Sequence, residues 1–218
     1  MTTEHRFFDV AALSRRDCYK LLIGTVIPRP IALVTTVNET GQVNAAPFSF
    51  FNVLSDDPPI LALGVENHAD MSLKDTAHNI RMTEVFTVNI VSAEIIAAMN
   101  VCAVPFSPEI DELAEAGLTP LPGVHIPVPR IAEAPAAFEC ERHTTLEIGR
   151  ARQIILGRIV GIHVRADAVD ERNHVDPDRI DAIGRMGGHG YAFTRDLFDL
   201  PTMTHAEWRA RQDDLQTT

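Results

Sequence analysis

Residues 44–79 read NAAPFSFFNVLSDDPPILALGVENHADMSLKDTAHN, and the rest of the chain is organised around them. The stretch opens with small, turn-prone and aromatic residues, among them Ala45, Ala46, Pro47, Phe48, Ser49, Phe50, Phe51 and Asn52. A double proline, Pro58 and Pro59, reads as a stop, and an apolar, strand-like run follows at residues 60–65. The stretch closes on SLKDTAHN, residues 72–79, which reads as the start of a helix. Small residues let a backbone approach a flat ring. A helix start bearing a lysine and a threonine offers N–H groups, a hydroxyl and a cation to a phosphate. A ring site and an anion site joined by one strand suit a nucleotide-like cofactor.

Upstream, Pro28-Arg29-Pro30 is a stiff bend, because each proline fixes its own φ and pushes its predecessor towards extended backbone. Residues 31–37 are rich in β-branched side chains and predict a strand. Residues 38–41 (NETG) predict a hairpin turn, with the chain returning through residues 42–51. Ser14 is a cap candidate for a helix over residues 15–22. Downstream, a short helix is expected at residues 74–82, a strand at 84–91 and a helix at 93–102. The run SPEIDELAEAGL predicts a further helix capped by Ser107 and ended by Gly117. Long strands are expected at 136–148 and 153–165, a polar loop at 167–181, a glycine-rich bend within 183–193 and a tail helix at 205–212. Many strands with short turns, and helices inserted rather than alternating, predict an antiparallel barrel with helical additions, not a doubly wound sheet. No repeat or linker divides the chain, so residues 1–218 are read as a single domain, with a core at about 21–199 and an extension at 200–218.

The composition, 45% hydrophobic and 22% charged, is that of a globular protein. A net charge of −11 disfavours nucleic acid and anionic membrane surfaces as partners, while leaving room for a local basic pocket. No run reaches the roughly 18 apolar residues of a membrane span. The N-terminus lacks the basic-then-apolar pattern of a secretory signal, and three scattered cysteines suit a reducing compartment, so the expected location is cytoplasmic. Nine histidines show no H-E-x-x-H and the cysteines no C-x-x-C, so no metal site is expected. The nucleophile elbow G-x-S-x-G and the dinucleotide fingerprint G-x-G-x-x-G are also absent.

Four motifs in order, PRPIALVTT, NAAPFSFFN-x-L-S-x-DPPI, KDT-x-x-NI and IGRMGG-x-x-Y, resemble the flavin reductase-like branch of the FMN-binding split-barrel proteins. The resemblance implies a six-stranded antiparallel Greek-key barrel, a homodimer, and non-covalent FMN (FAD in some members). It also implies NADH or NADPH as co-substrate and, in many members, delivery of reduced flavin to a separate monooxygenase. Carried over, it places Arg29 and Pro30 at the border of the flavin, and Ala46, Pro47, Ser49 and Phe50 against its ring and ribityl chain. Asn52 and Ser55 follow on the same loop. Lys74, Asp75 and Thr76, with Asn79 one turn on, fall where the family holds the phosphate, Asp75 offering its N–H with its carboxylate turned away. Several well-known flavin reductases carry Gly-Asp-His in the strand leading to their second Gly-x-Val. Here residues 149–153 read GRARQ, leaving Arg150 or Arg152 for a dinucleotide's phosphates and His189 and Tyr191 as alternative active-site candidates. Other readings stay open: a flavin-binding electron carrier or store, or a prosthetic-FMN enzyme for a dedicated organic substrate. Taken alone, Phe48, Phe50 and Phe51 read as core and KDT as a solvated helix start. Their place in the ordered set turns them towards a ligand.

Overall fold

The computed structural model describes residues 3–216. Its first half runs α1 (Arg15–Thr25), β1 (Ala32–Val37), β2 (Val43–Phe48), β3 (Phe51–Asp56), β4 (Pro59–Glu66), α2 (Asp75–Thr83) and β5 (Val85–Ile90). The second half runs α3 (Ile96–Val101), α4 (Glu112–Ala116), β6 (Pro120–Leu121), β7 (Arg130–Ile131), β8 (Ala136–Ile148), β9 (Arg152–Val164), α5 (Pro177–Ile180), β10 (Ile183–Arg185), β11 (Tyr191–Phe193) and α6 (His205–Gln216). Local chemistry sets the first hairpin. Asn38 Oδ1 accepts from the N–H groups of Thr40 and Gln42 at 3.0 and 2.9 Å, and Gly41 takes the φ of +84° that a side chain would resist.

The main sheet is antiparallel, in the order β2-β1-β5-β8-β9-β4-β3. Its two edges, β2 and β3, are one stretch of chain interrupted only by Ser49 and Phe50. Three residue steps span at most about 11 Å, so the sheet curls round to bring its edges together. Counting β2 and β3 as one bent strand gives six, as the family resemblance implies. The strand β5 returns beside β1 after the consecutive run β1, β2/β3, β4, which is the Greek-key order. At the bend, the Phe50 carbonyl accepts from Gly64 N–H at 2.7 Å, and a Cβ on Gly64 would lie 2.9 Å from that of Phe50.

The strand β1 is buried on both faces, its two threonines included, which suits its run of apolar and β-branched side chains. Ala32 and Val34 turn into the barrel with Leu63, Phe86 and Ile155, and Ala77 and Ile80 of α2 join them. Leu33 turns outward into a second core with Ile95, Met99 and Leu113, under α3 and α4. Inside the barrel, Gly157 faces the fully buried Phe86, and any Cβ there would overlap the Phe86 ring. Gly157→Val is therefore expected to cost about 1–3 kcal/mol in urea unfolding, with partial recovery when Phe86→Leu is added. A neutral single variant would contradict this packing.

Three expectations need correction. Residues 52–56 are not loop but β3, paired with β4 from Phe51↔Leu63 to Asp56↔Pro59, so the prolines sit at a strand turn rather than ending the sheet. The helix expected to be capped by Ser107 begins later: Asp111 is the cap, accepting from the N–H groups of Leu113 and Ala114 at 2.9 and 3.3 Å. Gly187 and Gly188 read as a turn needing positive φ, and of the two only Gly188 takes it. Ser14 caps α1 through Asp17 N–H, and Gly117 ends α4 in the left-handed conformation, as read. Among the described residues no helix is long and apolar enough to cross a membrane.

Candidate functional site

The start of α2 presents backbone N–H groups beside a lysine. Lys74 is its cap residue, yet its side chain makes no cap hydrogen bond. The first intrahelical bond here runs from His78 N–H to the Lys74 carbonyl, 2.9 Å, so the N–H groups of Asp75, Thr76 and Ala77 have no acceptor within the helix. Side chains stitch this start to the barrel. Asn44 of β2 donates to the hydroxyls of Thr76 (3.2 Å) and Thr36 (3.3 Å), and Asn79 donates to Thr36 at 3.1 Å. The two halves of the opening stretch thus meet across one cavity of about 240 Å³, lined by Ala46, Pro47 and Phe48 on one side and Lys74, Asp75 and Thr76 on the other.

A second cavity, of about 250 Å³, adjoins the first, sharing Pro47, Phe48 and Ala103 with it as wall. Its other walls carry Tyr19, Arg29, Ser49, Asn100, Arg185 and Tyr191. Together the two fall in the roughly 300–1,000 Å³ range of small-molecule sites. Arg29 is only 6% exposed. Its guanidinium donates to the carbonyls of Ile23 (2.7 Å), Val26 (3.0 Å) and Met186 (3.2 Å) and, at 3.4 Å, to the Ser49 hydroxyl. It ties the end of α1 to the glycine-rich bend. Burial holds its pKa below the ordinary value, with nearby Arg185 adding and Tyr19 opposing.

The remaining expected residues divide. Pro30, Phe50 and Asn52 line a groove on the outer side of the Ser49–Phe50 bend, which Ser49 and Arg29 also reach. Arg152 lies over the Phe50 ring at 5.5 Å and pairs with Glu66 at 3.3 Å, also on that outer side. Ser55 pairs with Ile60 in the sheet and lines none of these cavities. Asn79, 4% exposed, borders a polar niche of about 40 Å³ behind the anion end with Asp75 and Glu112. His189 is exposed and lines neither cavity, whereas Tyr191 lines the second. Sequence reasoning missed Tyr19, Asn100, Ala103, Glu112 and Arg185. Two of them carried a signal: Arg185 inside the IGRMGG motif, without a role assigned to it, and Glu112 inside SPEIDELAEAGL, a run read as a solvated helix with the pocket mouth as its alternative place. Glu112 accepts from Ala45 N–H at 3.1 Å. Burial raises its pKa, the Ala45 bond opposes this, and Asp75 adds to the rise; the first cavity thus has carboxylates as well as a cation in its lining.

An uncapped helix start with a lysine at one end, and a backbone edge of small residues leading to an aromatic-walled chamber at the other, fits a phosphate-bearing planar ligand. Residues 23–180 match the model of the flavin reductase like domain. An uncharacterised protein of Deinococcus radiodurans is 45% identical over 212 residues, 94% of this chain and 93% of its own. Nitrilotriacetate monooxygenase component B from Bacillus cereus has a similar structure, with a TM-score of 0.88 and 31% identity over 91% of this chain and all of its own. The 2-nitrobenzoate 2-nitroreductase of Pseudomonas fluorescens superposes with a TM-score of 0.85 and 36% identity over 92% of this chain and 98% of its own.

Proposed function

The chain belongs to the flavin reductase-like family, and on that premise we propose that it is an FMN-dependent oxidoreductase in which NADH or NADPH reduces the flavin. The observation that carries the reading is the pair of neighbouring cavities, one at the α2 start and one at the chamber of Ser49 and Tyr191, with Pro47, Phe48 and Ala103 as common wall. In this reading Lys74 and the N–H groups of Asp75 and Thr76 hold the phosphate. The backbone of Ala46, Pro47 and Phe48 lies along the ring, with the Ser49 hydroxyl at its edge. Arg29 positions this wall, since its hydrogen bonds are already committed to carbonyls and Ser49. Bound flavin would supply the hydride-accepting ring, so the protein needs no acid–base triad and its task is to orient the ring and exclude water. We place a homodimer contact on the exposed apolar residues of α1 and β3, among them Leu22, Val53 and Leu54.

Addition of NADH or NADPH to the FMN-loaded protein under argon is expected to bleach the flavin absorbance with at least one of the two. Bleaching with neither would overturn the hydride-transfer reading. A second reading, FMN kept as a prosthetic group for a dedicated organic acceptor, draws support from the 36% identity to a nitroreductase. It expects flavin to stay with the protein through gel filtration and to turn over an added nitroaromatic. Release of reduced flavin to a separate monooxygenase, the role suggested by likeness to a monooxygenase component, expects exchange instead.

A further inference from the structure

The second cavity has an electrostatic peculiarity. Arg29 and Arg185 stand directly opposite each other on an antiparallel bridge, exchanging backbone hydrogen bonds of 3.0 and 2.8 Å. Both side chains line the cavity, and no aspartate or glutamate does. Like charges placed directly across a ladder destabilise it, and here no carboxylate in the lining relieves them. The two arginines differ in what they can still do. Arg29 is buried with its hydrogen bonds committed. Arg185 is half-buried, donates to the Gly188 carbonyl at 2.7 Å, lies 4.4 Å over the Tyr191 ring, and has no other hydrogen-bond acceptor among the described residues. Its guanidinium is planar, stacked and oriented, with donors left over. That is the equipment for recognising a planar, delocalised anion.

We propose that Arg185 makes this chamber a subsite for a planar anion. Two sources share that chemistry. Hydride addition brings two electrons and one proton, so it leaves one additional negative charge on the ring of a bound flavin while the nicotinamide donor departs oxidised. The carboxylate of an aromatic acceptor stacked in the chamber is the other. The inference rests on the family-based reading for the first source only.

The experiment has two arms. In spectroelectrochemical titration of the FMN-loaded protein, Arg185→Gln is expected to lower the midpoint potential by about 30 mV, the equivalent of a tenfold loss of preference for the two-electron-reduced ring. In the other arm, benzoate and neutral benzamide are titrated against the oxidised, FMN-loaded protein. Arg185→Gln then weakens benzoate about tenfold and leaves benzamide unchanged. A shift in the first arm assigns the subsite to the ring's own charge, and a shift in the second to an acceptor's carboxylate. Arg185→Lys keeps the charge but loses the fork, gives a smaller change in the same direction, and serves if the glutamine variant does not fold. Unchanged potential together with unchanged benzoate affinity overturns the proposal. A wild type that takes up no FMN defeats the family-based reading instead, and the benzoate arm on flavin-free protein then decides the subsite alone.

Discussion

Lys74→Glu is expected to weaken FMN binding about a hundredfold while leaving riboflavin binding unchanged. The residue is exposed at the mouth of the anion cavity and contributes nothing to the barrel core, so the variant keeps its fold. The cavity already holds Asp75 and Glu112. Reversal removes the cation at the helix start and adds a third carboxylate beside the phosphate, a loss of about 3 kcal/mol at the effective dielectric of a partly exposed site. Lys74→Ala removes the attraction without adding repulsion, and a loss of about tenfold is expected. Riboflavin is the control because it has the ring without the phosphate. Fluorescence titration of both ligands checks the pair, and a parallel fall in riboflavin affinity would mean that Lys74 acts through the fold.

The second large effect lies away from the site. Glu139 of β8 is fully buried, yet it holds the segment 124–126 against the barrel. One carboxylate oxygen accepts from Val124 N–H at 2.7 Å and lies 2.6 Å from His163 Nε2. The other accepts from the N–H groups of His125 at 2.7 Å and Ile126 at 3.1 Å. Glu139→Ala leaves one buried and two part-buried N–H donors without this acceptor, and a loss of about 3–5 kcal/mol in denaturant unfolding is expected. The pH dependence has a definite sign. Burial pushes this carboxyl up, but the hydrogen bonds from His163 and the three N–H groups outweigh it and hold the pKa at about 2, below the ordinary 4.5. Its stabilisation is therefore complete above pH 4.5 and lost as the pH falls towards 2. The alanine variant should lose the part of the acid limb that falls in this window. A cost below about 1 kcal/mol would show the clamp to be dispensable.

Much of the barrel was legible because its long strands announce themselves. The apolar and β-branched run of β1, and the lengths of β8 and β9, depend on local pattern alone. The strand β3 was not legible. Only Phe51 is buried, while Asn52, Val53, Leu54 and Asp56 are exposed, so the segment shows no buried face and is a strand only by virtue of its pairing with β4. The misplaced cap has a similar origin: Ser107 and Asp111 are both competent, and the tertiary position of α4 selects the second. The three phenylalanines of the central stretch have three fates, because the chain bends among them. Phe48 lines both cavities, Phe50 faces the outer groove, and Phe51 enters the barrel. No local pattern reports such a bend. The proposed anion end is made of groups that are neighbours in sequence. The proposed ring end draws Tyr19 from α1, Asn100 from α3 and Arg185 from β10, and only the fold brings them together.

In the proposed mode one ligand spans the two cavities, its ring against residues 46–49 and its phosphate at the start of α2. A crystal structure of the FMN complex tests it most directly. Phosphate oxygens are expected within hydrogen-bond distance of Lys74 Nζ and the Asp75 and Thr76 N–H groups, with the ring in the chamber of Ser49 and Tyr191. Flavin bound in the outer groove beside Phe50 and Arg152, or with its phosphate away from α2, would contradict it.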